Sequence, residues 1–219
     1  MLKYPCLVLD HDDTAVASEA TVHYPCFCRY LEIYRPGMTI SFEEYVDLCS
    51  SMSFADLCKT RFGLSDEELN EEYLFWKHYI KEHFPEPYPG MKEFLEAYRK
   101  AGGLICVVSL STEENIRRDY RTHFGFQPDA LYSFDLPEDL RKPNPYALEQ
   151  IQKQFHLSPA EMLVVDDMKS AVPMARSAGC PMAFAGWGRK ELPKVCAEME
   201  TLCDYSFYSI GDLAKFLFD

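Results

Sequence analysis

Short, unbroken apolar runs alternate with stretches of helical periodicity along most of this chain. Cys6-Leu7-Val8-Leu9, Leu104-Ile105-Cys106-Val107-Val108 and Met162-Leu163-Val164-Val165 are runs of strand length. The first and last end on acids, at Asp10 and Asp166, and the middle one ends on Ser109. Ala130 to Phe134, Pro181 to Ala185 and Tyr205 to Tyr208 predict three weaker strands. Continuous rather than alternating apolar runs suit parallel strands covered on both faces. Between them, Met91, Phe94, Leu95 and Tyr98 share one helical face, as do Leu148, Ile151 and Phe155. Strand–helix–strand alternation after residue 88 predicts an α/β fold with a right-handed, doubly wound parallel sheet.

One long segment breaks this alternation. From about Ala15 to Phe84 no strand is legible, and helical patterns run from Phe42 to Phe62 and from Ser65 to His83. In the second, Leu69, Tyr73, Trp76 and Ile80 recur at helical spacing and read as a core stripe, while Glu71 and Glu72 read as a solvated face. Phe84-Pro85-Glu86-Pro87-Tyr88-Pro89-Gly90 reads as a stiff connector back to the α/β part. The expected organisation is a core of residues 1–14 and 88–219 with an all-helical insert at 15–87. Hinges are expected near 15–20 and 84–90.

Length and charge narrow the functional classes. The chain has 219 residues, enough for one domain with a sizeable insert. Its formal net charge of −13 argues against a nucleic-acid partner and against a polybasic membrane anchor. No apolar run reaches the roughly 18 residues of a membrane span. The first residues carry no pattern of a secretory leader, and nine scattered cysteines read as reduced thiols, so a cytoplasmic location is expected. A monomer or weak homodimer is the expected state.

Four polar clusters stand at the ends of predicted strands or in the loops after them, where open α/β sheets place their ligands. They are Asp10-His11-Asp12-Asp13-Thr14, then Ser109, then Lys142 within Arg141-Lys142-Pro143-Asn144-Pro145, then Asp166-Asp167. Each is weak alone, because acids at strand ends commonly cap turns. Their order and spacing together resemble the haloacid dehalogenase superfamily of phosphohydrolases. Asp10, Asp12 and Thr14 match its Asp-x-Asp-x-Thr motif, Ser109 its second motif, Lys142 to Pro145 its Lys-Pro-x-Pro, and Asp166 with Asp167 its closing acids. The helical insert resembles the family's C1 cap, as in the phosphoglycolate phosphatase and β-phosphoglucomutase subgroup.

The resemblance implies a Mg²⁺-dependent phosphatase acting on a small phosphorylated metabolite. Asp10 is then the nucleophile and Asp12 the general acid–base. Ser109 and Lys142 bind the transferring phosphoryl group, with Lys142 also pairing with Asp10. The implied metal ligands are the Asp10 carboxylate, the Asp12 backbone carbonyl and Asp167, with Asp166 adding a direct or water-mediated contact. Thr14 is expected to hold the turn. Two departures stand out: Asp13 replaces the family's usual Gly, and Leu110 follows Ser109 where Asn is common.

Other readings are weaker. A calcium loop beginning at Asp10 would need Gly and Glu where Ala15 and Thr21 stand. His23, Cys26 and Cys28 lack a second cysteine pair at zinc-finger spacing. No phosphate cradle of the dinucleotide or P-loop type is present. Asp12 speaks against a carbon-attacking dehalogenase, whose leaving group needs no proton. A phosphosugar mutase of the β-phosphoglucomutase kind is the nearest alternative. A non-catalytic ligand-binding or regulatory module is the alternative from another class.

Overall fold

The structure, a computed structural model, describes residues 2–190 and 192–218. The outermost residues of the expected core, Met1 and Asp219, lie outside the described residues. The chain divides into two units, Met1–Ala17 with Pro87–Asp219, and Ser18–Glu86.

The first unit carries a six-stranded sheet made of β1 (Cys6–Leu9), β2 (Leu104–Val108), β3 (Ala130–Tyr132), β4 (Met162–Asp166), β5 (Met182–Ala185) and β6 (Tyr205–Phe207). All neighbours pair parallel, in the order β3-β2-β1-β4-β5-β6. The α/β doubly wound fold expected from the alternation is the fold observed. The weaker strands are shorter than their patterns, since β3 stops at Tyr132 and β6 at Phe207. Alternate residues feed two separate cores. Leu7, Leu9, Ile105, Val107, Leu163 and Val165 pack on one face, and Cys6, Val8, Cys106, Val108, Met162 and Val164 on the other. Burial on both faces is why these strands are apolar throughout.

The second unit is helical, with α1 (Tyr24–Tyr34), α2 (Phe42–Ser51), α3 (Phe54–Phe62) and α4 (Asp66–Tyr79). The pattern from Phe42 to Phe62 is two helices rather than one. Met52 is extended, and Ser53 restarts the helix by accepting a hydrogen bond from the Asp56 backbone N–H. Ser65 and Glu68 form a capping box that opens α4. Phe27 meets Phe54 and Phe62 edge to face, with ring centroids 5.2 Å apart in each case.

The expected stripe on α4 needs correction. Ile80, just past the end of α4, is buried as expected, but Tyr73 is 47% exposed, Leu69 and Trp76 are half-buried, and the one buried residue of α4 itself is Glu72. Contacts with Tyr30 on α1 and with His23 just before it accompany a helix rotation that turns the Glu72 side inward. Phe75 takes an edge-on contact with Tyr30, and the Trp76 indole N–H donates to His23 Nδ1 at 3.0 Å.

The remaining helices belong to the first unit: α5 (Met91–Lys100), α6 (Glu113–Asp119), α7 (Tyr146–Phe155), α8 (Ala171–Ala178), α9 (Pro193–Leu202) and α10 (Ile210–Phe218). Among the described residues, no helix is long and apolar enough to cross a membrane.

Candidate active site

Strand register brings the polar clusters together. Leu9 pairs with Val107 on one side and Val165 on the other, so β1 ends between β2 and β4. Asp10 follows β1 directly, Asp166 closes β4, and Ser109 follows β2. The Asp10 backbone N–H continues the ladder onto Val165 O at 2.9 Å. Three segments remote in sequence thus converge at one sheet end, as parallel topology requires.

Lys142 enters from the loop after Glu138–Leu140. Its Nζ donates to Asp10 Oδ1 at 2.7 Å and to Asp166 Oδ2 at 2.6 Å, with only 3% of the side chain exposed. The other Asp166 oxygen accepts from the Met168 N–H at 2.9 Å. Burial opposes the Lys142 charge, but the two carboxylates outweigh it and raise its pKa, so the ammonium persists. Burial also pushes the Asp10 and Asp166 carboxyls above the ordinary range, against the pull of Lys142. Neighbouring carboxylates add to the rise, Asp166 and Asp167 acting on Asp10, and Asp167 on Asp166.

Asp10, Asp166 and Asp167 each place one carboxylate oxygen within 4.8 Å of the others. Among the described residues this is the one group of three or more side chains able to hold a metal ion. The donor set is all oxygen and carries more negative charge than Lys142 offsets, which fits a hard dication. No described residue donates to Asp10 Oδ2, so that oxygen is available as a ligand.

The remaining expected site residues take different places. The Asp12 carboxylate is not part of the three-acid group, and Asp12 is half-buried. Ser109 is buried, with its Oγ accepting from the Ser111 N–H at 3.1 Å and its N–H donating to Tyr132 O at 3.0 Å. Thr14 Oγ1 donates to Asp167 Oδ1 at 3.2 Å, so its hydroxyl serves an acid of the site. Leu110, the departure after Ser109, is exposed.

Two buried groups of the site were not read as such from sequence. Arg189, after the turn Gly186–Gly188, places Nε 2.8 Å from Asp167 Oδ2, Nη2 2.5 Å from the same oxygen, and Nη2 3.3 Å from Asp13 Oδ2. Tyr88 donates its hydroxyl to Asp13 Oδ1 at 3.1 Å. His11 is the second group, with Nε2 3.1 Å from Asp119 Oδ2, and the other Asp119 oxygen accepts from Arg118 Nε at 2.7 Å. The available signal for Arg189 was Asp13 itself, since an acid beside a site already rich in acids needs a cation when buried.

Curated relatives carry the same kind of name. A phosphoglycolate phosphatase from Vibrio vulnificus strain YJ016 is 33% identical over 95 residues, 42% of this chain and 41% of its own length. The chain therefore aligns with about two fifths of that relative. A phosphoglycolate phosphatase from Aquifex aeolicus is 28% identical over 157 residues, covering 69% of this chain and 70% of that protein. A crystal structure described as a predicted phosphoglycolate phosphatase from Haemophilus somnus superposes with a TM-score of 0.76 at 20% identity, covering 98% of both chains, which is a likeness of fold. The model of the haloacid dehalogenase-like hydrolases matches residues 51–179, a span that holds Ser109, Lys142, Asp166 and Asp167 and begins after Asp10 and Asp12. With more than half of its length matched, this chain belongs to the haloacid dehalogenase-like hydrolase family.

Proposed function

We propose that this protein is a Mg²⁺-dependent phosphatase that hydrolyses a small phosphorylated metabolite through an aspartyl-phosphate intermediate. The observation that carries the reading is Lys142 Nζ held between Asp10 and Asp166, with Asp167 completing a three-acid group at one sheet end. A phosphate monoester repels a carboxylate nucleophile, so the site must carry positive charge where the phosphoryl oxygens will sit. Lys142 supplies one such charge. Asp10, Asp166 and Asp167 would hold Mg²⁺, which supplies further charge neutralisation when bound.

One oxygen of the Asp10 carboxylate attacks phosphorus while the bond to the ester oxygen breaks. Asp12 gives its proton to the departing oxygen. It then takes a proton from water, whose oxygen attacks the aspartyl-phosphate and releases inorganic phosphate with Asp10 restored. The Ser109 hydroxyl and nearby backbone amides donate to the phosphoryl oxygens. The helical unit, Ser18–Glu86, acts as the family's cap and selects the substrate. Phosphoglycolate, named in the curated relatives, is the first compound to test.

The test is phosphate release over a panel of phosphoglycolate, sugar phosphates and nucleotides, with and without EDTA. Release should need metal and vanish in Asp10→Asn. Asp12→Asn should lower kcat by roughly 10²- to 10⁴-fold, the range for losing a general acid–base. Release unaffected by EDTA, or an isomerised product without free phosphate, would overturn the reading.

A further inference from the structure

Three consecutive residues are committed to the loop that carries Asp10. The Trp187 indole N–H donates to Thr14 O at 3.0 Å. Gly188 packs so closely that a Cβ there would meet Asp13 O at 2.7 Å and collide with the Tyr88 hydroxyl. Arg189 then reaches both Asp13 and Asp167. Asp13 itself sits at φ 54°, in the left-handed region that favours glycine. An Asp stands there and Arg189 pairs with it, where the family pattern would place a glycine.

The consequence lies in the oxygens of Asp167. An ionised carboxylate offers about four lone-pair sites, two on each oxygen. Arg189 Nε and Nη2 both lie against Oδ2 and use its two. Thr14 Oγ1 uses one on Oδ1. One site remains, on Oδ1. We propose that Arg189, held by Asp13, is a positioning residue that restricts Asp167 to a single ligand oxygen and so tunes the acidic group for Mg²⁺ against Ca²⁺.

The chemistry follows from how the two ions bind. Mg²⁺ demands near-octahedral geometry, takes one or two carboxylates and keeps several waters. Ca²⁺ accepts more oxygens and readily takes a carboxylate through both. An Asp167 free at both oxygens would serve Ca²⁺ better, and an Asp167 pinned at Oδ2 cannot. Asp13 keeps the added guanidinium from lowering the site's negative charge, because the two cancel. This inference rests on the proposed use of a divalent cation.

The experiment is direct titration of Mg²⁺ and of Ca²⁺ into the whole protein by calorimetry, with no substrate present. The Asp13→Gly/Arg189→Met double variant removes one charge of each sign and suits the φ at position 13, so it tests ligation rather than net charge. The ratio of Ca²⁺ to Mg²⁺ affinity should rise by about tenfold in the double variant, as expected for one added ligand oxygen. Arg189→Lys keeps the charge but presents one nitrogen instead of two, and should shift the ratio in the same direction by roughly threefold. It decides the matter if the double variant does not fold. A ratio unchanged within error in the folded variants overturns the inference and leaves the phosphatase reading standing. Binding of neither ion by the unaltered protein overturns both.

Discussion

The two units bury acids in opposite ways. In the α/β unit five buried acids at or near the site have a cationic partner. Asp10 and Asp166 share Lys142, Asp13 and Asp167 share Arg189, and Asp119 has His11 and Arg118. In the helical unit, Glu72 is buried with no hydrogen-bond donor among the described residues, and burial pushes its pKa up to about 7 with His23 pulling against the rise. Its charge in turn raises the thiols of Cys26 and Cys58, whose shifts come first from their own burial. A cation beside a buried acid offsets part of the cost of its charge, and removing that cation strands it, whereas a lone acid carries a charge that varies with pH and costs stability when present. Removing a charge should therefore have opposite signs in the two units.

The largest effect is expected from Lys142→Met. It strands two neighbouring buried carboxylates, and breaking such a pair costs roughly 3–5 kcal/mol. Chemical denaturation should show that loss at pH 7, together with loss of phosphate release. An unchanged denaturation midpoint would mean that the Lys142 contacts contribute nothing net.

Glu72→Gln should do the reverse. An acid whose folded pKa is raised stabilises the fold below its ordinary value and loses that contribution as pH rises toward 7. The unaltered protein should thus be less stable at pH 8 than at pH 5, and Glu72→Gln should remove most of the difference. The gain at pH 8 should be on the order of 2 kcal/mol, with near equality close to pH 4.5. Denaturant midpoints at the two pH values check this. A variant difference independent of pH would show that Glu72 is already ionised in the folded protein.

Gly188→Ala sharpens the contrast from the side of packing. The new Cβ meets the Asp13 backbone, and overpacking of this kind typically costs about 1–3 kcal/mol. The smallest effect is expected at Ser65→Ala, which removes the capping box of α4 and should cost about 1 kcal/mol. Thermal melting of each variant measures both losses, and a Ser65→Ala loss larger than that at Gly188 would invert the expected order.

The sheet was legible because a strand buried on both faces must be apolar at every position, as in Leu7-Val8-Leu9 and Leu163-Val164-Val165. The ends of those runs also marked where Asp10, Ser109 and Asp166 stand, because parallel strands deliver their C-terminal ends to one edge. Helix rotation in the second unit was not legible. Leu69, Tyr73, Trp76 and Ile80 have the spacing of a core stripe, yet Tyr73 is exposed and Glu72 is buried. Spacing gives only the period of a helix, while the direction it faces depends on what its neighbours offer, here Tyr30 and His23 from preceding segments.

The amino-acid sequence by itself determined the α/β alternation, the helical character of the segment between the first two strands, and the polar residues at the strand ends. These follow from local periodicity and from strand burial, which each segment carries within itself. Only the tertiary structure decided what Arg189 pairs with. It meets Asp13 and Asp167 across long stretches of chain, whereas the Lys142–Asp10 pair is one that the family resemblance already implied. The Arg189 pairing depends on distances set by sheet register and loop packing, and no local pattern encodes it.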